Sequence, residues 1–263
     1  MLILIGLFFK LGVVPFHFWV PMVYTYSTSI VTFLFMLLPK ISLLYILYKF
    51  MALSTVMIIP YYLCILGSLF IGTIFALQST NIKTFLAYST IANTSFFLVP
   101  IINQTSLSFY ALIYYLYAYN ILIIIIFTPL LFLIRANKTN LLVNLRDIVM
   151  LKKANPMLAS YCALAAFGMA GIPPSIGFFS KLFILLSALS FSAYLLIFIL
   201  LIFSLISTLY YLRIVKITSF SFDLKYTGLE RFPLIPALII SIFSLLSIIF
   251  YLCPSYWIII VIA

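Results

Sequence analysis

Residues 170–181 read AGIPPSIGFFSK, from Ala170 to Lys181. Two adjacent prolines and two glycines interrupt this stretch and a lysine ends it, yet the run from Met157 to Ser187 that contains it is otherwise almost wholly apolar. Proline lacks the amide N–H and clashes with the preceding turn, so an unbroken helix does not pass through Gly171–Pro174. The run as a whole exceeds the roughly 20 apolar residues that cross a bilayer. Composition decides which solvent surrounds it. The 263 residues are 67% hydrophobic and 6% charged, with a mean hydropathy of +1.36. A soluble domain has about a quarter of its residues charged. The reading is therefore an all-α, polytopic transmembrane helix bundle, with residues 1–263 forming one membrane domain.

Apolar runs define about eight spans: Leu2–Pro21, Ser29–Met51, Val56–Leu77, Phe85–Ile102, Leu107–Ile134, Met157–Ser187, Ser192–Leu212 and Leu234–Cys253. The tail Pro254–Ala263 is too short for another. Loops after odd-numbered spans hold Lys83, Arg135, Lys138, Arg146, Lys152, Lys153, Arg213, Lys216, Lys225 and Arg231, and the opposite loops hold only Lys49. By the positive-inside rule the basic loops face the cytoplasm or a mitochondrial matrix, with both termini on the other side. Loop topology and anionic headgroups account for the net charge of +11, so no nucleic-acid partner is implied. Met1 leads straight into an apolar run without a basic n-region, so no cleavable targeting signal is expected. The many phenylalanines and tyrosines suit an A+T-rich, organelle-type genome.

Three lysines escape this account: Lys10, Lys40 and Lys181. Helical rise of about 1.5 Å per residue puts each near the middle of a hydrocarbon core about 30 Å thick. Snorkelling rescues a lysine near a helix end, less well one at the midplane. An intramembrane lysine is therefore a functional candidate by default. Each has a helix-breaking signal nearby. Lys10 precedes Gly12 and Pro15, Lys40 follows Pro39, and Lys181 follows Gly171–Pro174. Irregular backbone at membrane depth lines a cavity or is buried in protein, and a discontinuous helix exposes backbone groups that hold water or ions. A partly desolvated lysine beside such a break can exchange protons. Discontinuous helices are expected near Gly12–Pro15 and Gly171–Pro174, and the three lysines form a candidate lateral proton or cation pathway.

Other chemistry is excluded. Cys64, Cys162 and Cys253 lie far apart in apolar runs, without metal-ligand spacing, and read as small buried hydrophobes. There is no Walker loop, no GxGxxG and no carboxylate pair. Neither a cofactor nor a metal is expected in this chain.

The segments FFKLGVVPFHFWVP, LPKISLLYIL, LQSTNIKTFLAYSTIANTSFFL and AGIPPSIGFFSKLFIL occur in an order that resembles the antiporter-like membrane subunits of respiratory complex I, the subunit-2 type above all. The likeness runs from about Gly6 to Phe183. The resemblance implies that the chain corresponds to helices seven to fourteen of a longer subunit, in which helices seven and twelve are broken. It implies that Lys10, Lys40 and Lys181 are proton-transfer residues on helices seven, eight and twelve. The chain would be a component of the proton-pumping NADH:ubiquinone oxidoreductase of the mitochondrial inner membrane, with its basic loops in the matrix and both termini in the intermembrane space. FMN, iron–sulfur clusters and ubiquinone would belong to the complex as a whole, and the partners would be other membrane-arm subunits and lipids.

Two departures stand out. Met22 stands where the family has an aspartate. The family also pairs its helix-seven lysine with a glutamate on helix five, and the only acids here, Asp147, Asp223 and Glu230, fall in loops. A separate polypeptide is therefore expected to supply the earlier helices and the carboxylate, although a truncated sequence would look the same. His17 is a candidate relay or a simple partner for frayed backbone, and Trp19 an interfacial anchor. Tyr88, Ser89, Asn93, Tyr117, Tyr119 and Asn120 lie between the lysine-bearing helices, where they orient a water chain or bond helix to helix. The Arg135–Lys153 loop reads as a matrix-facing contact surface. Two rival readings stay open: a subunit of a multi-subunit sodium/proton antiporter, and a structural spacer without a proton path.

Overall fold

The computed structural model describes residues 2–53, 58–136, 144–190, 192–220 and 234–252. Lys138, Asp223, Lys225, Glu230, Arg231, Cys253 and the tail beyond it lie outside these residues. The described chain is helical: α1 (Leu2–Leu11), α2 (Trp19–Tyr26), α3 (Ser29–Leu53), α4 (Ile58–Gln78), α5 (Ile82–Asn103) and α6 (Ser106–Ala136). A 3-10 turn (Leu145–Ile148) then leads into α7 (Val149–Ala154), α8 (Pro156–Ala170), α9 (Ile176–Ser190), α10 (Tyr194–Phe220) and α11 (Leu234–Leu252). Five helices are long and apolar enough to cross a membrane: Ser29–Ala52, Ile58–Gln78, Ile82–Asn103, Ser106–Leu131 and Tyr194–Phe220. The expected first and sixth spans are each a pair of short helices, α1 with α2 and α8 with α9.

Both interruptions fall where the glycines and prolines place them. α8 starts on Pro156, with Asn155 as N-cap accepting from the Met157 N–H at 3.0 Å. It ends at Gly171, whose φ of +84° turns the chain through a left-handed cap. There the Gly171 and Ile172 N–H groups donate to the Phe167 carbonyl at 3.1 and 3.2 Å. α1 closes the same way: Gly12 has φ +70°, and the Val13 N–H donates to the Phe8 carbonyl at 3.1 Å. Trp19 has a partner within the chain. Its indole N–H donates to the Phe9 carbonyl at 2.7 Å, tying α2 to the open end of α1. The Phe9 carbonyl also accepts from the Gly12 N–H at 3.0 Å, so the indole is its second donor, and an indole N–H in apolar surroundings needs an acceptor.

Pro39 corrects an expectation, since α3 runs through it without a break. A single proline removes one intrahelical bond, and Pro100 and Pro129 likewise sit inside α5 and α6.

α5 is the axis of the bundle. It is almost wholly buried, whereas most of α3 and α10 is not, and it packs on α4, α6, α2, α9 and α3. The outer helices turn large apolar side chains outward, as α10 does with Leu195, Phe198, Ile202, Leu205 and Leu209 at helical spacing. Gly177 lets α9 approach the α8 backbone closely, because a Cβ there would fall on the Gly168 carbonyl.

Basic side chains cap the carbonyl ends of α2, α4 and α10, where the helix dipole favours a cation. Lys83 Nζ donates to the Ser27 carbonyl at 2.7 Å. Arg213 Nη1 donates to the Leu77 and Ser79 carbonyls, both at 3.3 Å. Lys152 Nζ donates to the Ser219 carbonyl at 2.6 Å. Lys83 departs from its reading as a loop charge, being buried in the first turn of α5. At this same end Asn81 bridges to Asn144, and Asp147 accepts from the Asn144 N–H at 2.9 Å in a capping box. The Arg135–Lys153 segment is thus partly folded onto the bundle: Leu145, Ile148 and Leu151 are buried.

Candidate functional site

The break between α8 and α9 creates the surroundings of Lys181. Because α8 stops at Ala170, the carbonyl there has no helical partner further along, and Lys181 Nζ donates to it at 2.8 Å. Nζ also lies 3.4 Å from the Ser207 hydroxyl on α10 and 5.5 Å from the centre of the Phe96 ring on α5. The Lys181 stem runs over Gly171, where a Cβ would stand 2.9 Å from its Cδ. The glycine therefore serves both the left-handed turn and the lysine's approach to the cut end of α8.

Lys40 is also buried. Its Nζ donates to the Tyr119 hydroxyl on α6 at 2.6 Å and lies 4.4 Å from the centre of the same ring. Tyr119 is itself buried and edge-on to Phe97 of α5 at 5.4 Å. On its other side Lys40 faces a cavity of about 420 Å³ that it shares with Lys10, lined also by Trp19, Tyr24, Pro39 and Thr90. Phe35 lines it too, and the missing N–H of Pro39 leaves the Phe35 carbonyl without its usual donor. Pro39 thus leaves a polar backbone group beside the lysine while the helix stays whole.

The two buried lysines meet across Tyr119. A small cavity of about 10 Å³, at the lower limit for one water, is lined by Tyr119, Tyr115, Met169, Ser180 and Lys181. The order is then the Lys10–Lys40 cavity, Lys40, Tyr119, the small cavity and Lys181. Such hydroxyls both donate and accept, which a proton-conducting chain requires. Both lysines are hydrogen-bonded to neutral oxygens, and the one acid among the described residues, Asp147, is occupied in its cap.

The other expected residues are placed as follows. Lys10 ends α1 and is exposed. His17 is buried between α1 and α2, its ring 4.3 Å from that of Phe18, and its Nδ1 has no hydrogen-bond partner among the described residues. It lines neither lysine cavity. Tyr88 stacks on Phe75 at 5.1 Å, Tyr117 faces outward, and Asn120 is half-buried; none of these lines either cavity. Sequence reasoning missed Tyr115, Tyr24 and Ser207, polar residues within apolar spans whose facing it did not resolve. Cys64 and Cys162 are buried and free, as expected of small hydrophobes.

The chain is similar to known membrane proteins. Residues 1–207 match the family described as NADH:quinone oxidoreductase/Mrp antiporter, transmembrane. NADH-quinone oxidoreductase subunit N of Paramagnetospirillum magneticum is 34% identical over 83% of this chain and 45% of its own length. NADH-ubiquinone oxidoreductase chain 2 of Marchantia polymorpha is 32% identical over 96% of this chain and 52% of its own. The chain thus spans about half the length of these curated relatives. A subunit in the structure of respiratory complex I from Thermus thermophilus with bound aureothin superposes with a TM-score of 0.83 at 24% identity, covering 96% of this chain and 56% of that one; this likeness is one of fold. With the match extending over residues 1–207 and both broken helices in place, this chain belongs to the NADH:quinone oxidoreductase/Mrp antiporter transmembrane family.

Proposed function

We propose that this chain is a proton-translocating membrane-arm subunit of respiratory complex I, coupling electron transfer from NADH to ubiquinone to proton movement. The observation that carries the reading is the row formed by the Lys10–Lys40 cavity, Lys40, Tyr119, the small cavity and Lys181. Redox work elsewhere in the complex changes the electrostatics along the arm, and the lysines load and release protons in turn. A cation at one site disfavours a proton at the next, so neighbouring sites couple without large motion. FMN, iron–sulfur clusters and ubiquinone belong to other subunits in this reading. The exposure of Lys10 fits a carboxylate supplied by a second polypeptide that also carries the earlier helices. Residues 1–263 then act as one membrane domain in the mitochondrial inner membrane, basic end to the matrix and both termini to the intermembrane space.

The test is Lys181→Met in the assembled complex. Proton-coupled quinone reduction should fall while assembly stays intact; a wild-type rate removes Lys181 from the path. The family description also covers Mrp antiporters, which favours one second reading, a subunit of a sodium/proton antiporter. Co-purification with flavin and iron–sulfur subunits supports the first reading, and purely antiporter partners support the second.

A further inference from the structure

α10 carries a buried polar group that the lateral row does not use. Ser207, Tyr210 and Tyr211 are all buried on the face that meets the rest of the bundle. Ser207 accepts from Lys181 at 3.4 Å and donates its own proton to the Ser204 carbonyl at 2.7 Å. About one turn further along, the Tyr210 hydroxyl is sealed from solvent, with the Ser207 and Tyr211 hydroxyls as its polar neighbours but no well-aligned hydrogen bond to either. Tyr211 is held differently: its hydroxyl accepts from Asn93 Nδ2 at 3.2 Å, and Asn93 Oδ1 accepts from the Tyr115 hydroxyl at 3.2 Å. Tyr115 in turn lines the small cavity beside Lys181. Phe85 closes the far side, with its ring edge-on to Tyr210 at 5.6 Å and to Tyr211 at 6.0 Å.

A buried hydroxyl without a well-aligned hydrogen bond is costly, and phenylalanine would fill the Tyr210 site without that cost. The oxygen therefore calls for a reason other than packing. Its neighbours provide one. Moving from Ser207 to Tyr211 leads from Lys181 toward the end of α10 that Lys152 caps at Ser219, the basic end of the bundle. The Asn93 amide sets the direction: by donating to the Tyr211 oxygen it leaves the Tyr211 O–H to its other side-chain neighbours, Tyr210 and Ser89.

We propose that Ser207, Tyr210 and Tyr211 form a branch of the proton path between Lys181 and the basic end of the bundle, with Asn93 as its positioning residue and Phe85 as its gate. The proposal rests on the lysine row carrying protons, as argued in the preceding subsection. In one transfer the Lys181 ammonium gives a proton to the Ser207 oxygen. The Ser207 hydroxyl turns from the Ser204 carbonyl and passes its own proton to Tyr210, which passes its own to Tyr211, and Tyr211 releases one to water admitted when Phe85 moves. Every hydroxyl is regenerated neutral, and only Lys181 loses a charge. The reverse sequence loads it.

Tyr210→Phe in the assembled complex separates this role from a structural one. Removing a hydroxyl without a well-aligned hydrogen bond leaves thermal stability unchanged or slightly raised, whereas loss of a proton-passing group slows NADH-driven proton translocation by about tenfold or more. Ser207→Ala should slow it similarly. Phe85→Ala should raise proton leak, so that electron transfer persists while the pH gradient collapses. Wild-type translocation in Tyr210→Phe and Ser207→Ala, with Lys181→Met impaired, overturns the branch and leaves the lysine row standing. Wild-type translocation in Lys181→Met overturns both.

Discussion

Gly171→Ala perturbs Lys181 without touching a titratable group. Gly171 has φ +84°, a conformation that costs an L-residue about 1–2 kcal/mol. The added Cβ would stand 2.9 Å from Lys181 Cδ and 3.4 Å from its Cε and Nζ, so the stem must move. The movement draws Nζ away from the Ala170 carbonyl, now 2.8 Å distant. A hydrogen bond from a charged group is worth about 1.5–3 kcal/mol. Partial relaxation should leave a net loss of about 2–4 kcal/mol. Gly6→Ala is the matched control: it lies in α1 with nothing within 4 Å of the new Cβ, so it should gain up to about 1 kcal/mol of helix propensity. The assay is thermal dissociation of the detergent-solubilised complex alongside NADH:quinone turnover coupled to proton uptake. Gly171→Ala should dissociate at lower temperature and turn over more slowly, with Gly6→Ala indistinguishable from wild type or slightly more stable. If the two variants behave alike, the argument that Gly171 exists for Lys181 is wrong.

Other substitutions probe separate parts of the structure. Tyr119→Phe removes the hydroxyl that accepts from Lys40 at 2.6 Å and should lower coupled turnover about tenfold or more with the complex still assembled, as read by proton uptake in proteoliposomes. Lys83→Met leaves the Ser27 carbonyl without its donor at the end of α2, and a loss of about 1.5–3 kcal/mol should appear as a lower dissociation temperature. Asp147→Ala dissolves the capping box with Asn144 and should cost about 1 kcal/mol, seen as faster amide hydrogen exchange at Asn144 with turnover unchanged.

Composition and the placing of glycine and proline were enough to fix the solvent, the helical class and the two broken crossings. Two prolines beside a glycine in an apolar run have no continuous-helix solution, and the glycines stand where the chain takes positive φ. The sequence also singled out Lys40 and Lys181, because a charge deep in a span is conspicuous whatever its neighbours. It misjudged Pro39, since one missing N–H does not break a helix held on other sides by its neighbours. It misjudged Lys83, since closeness to a span end says nothing of a carbonyl that arrives from α2. Between Tyr117 and Tyr119 the choice lies in the packing of the bundle. Two residues apart at about 100° each, they point to nearly opposite sides of α6, one outward and one onto Lys40. In a soluble helix the polar face would have told them apart. In lipid both faces are apolar, so which one turns inward is set by packing against α3, α5 and α9, and the path of protons along with it.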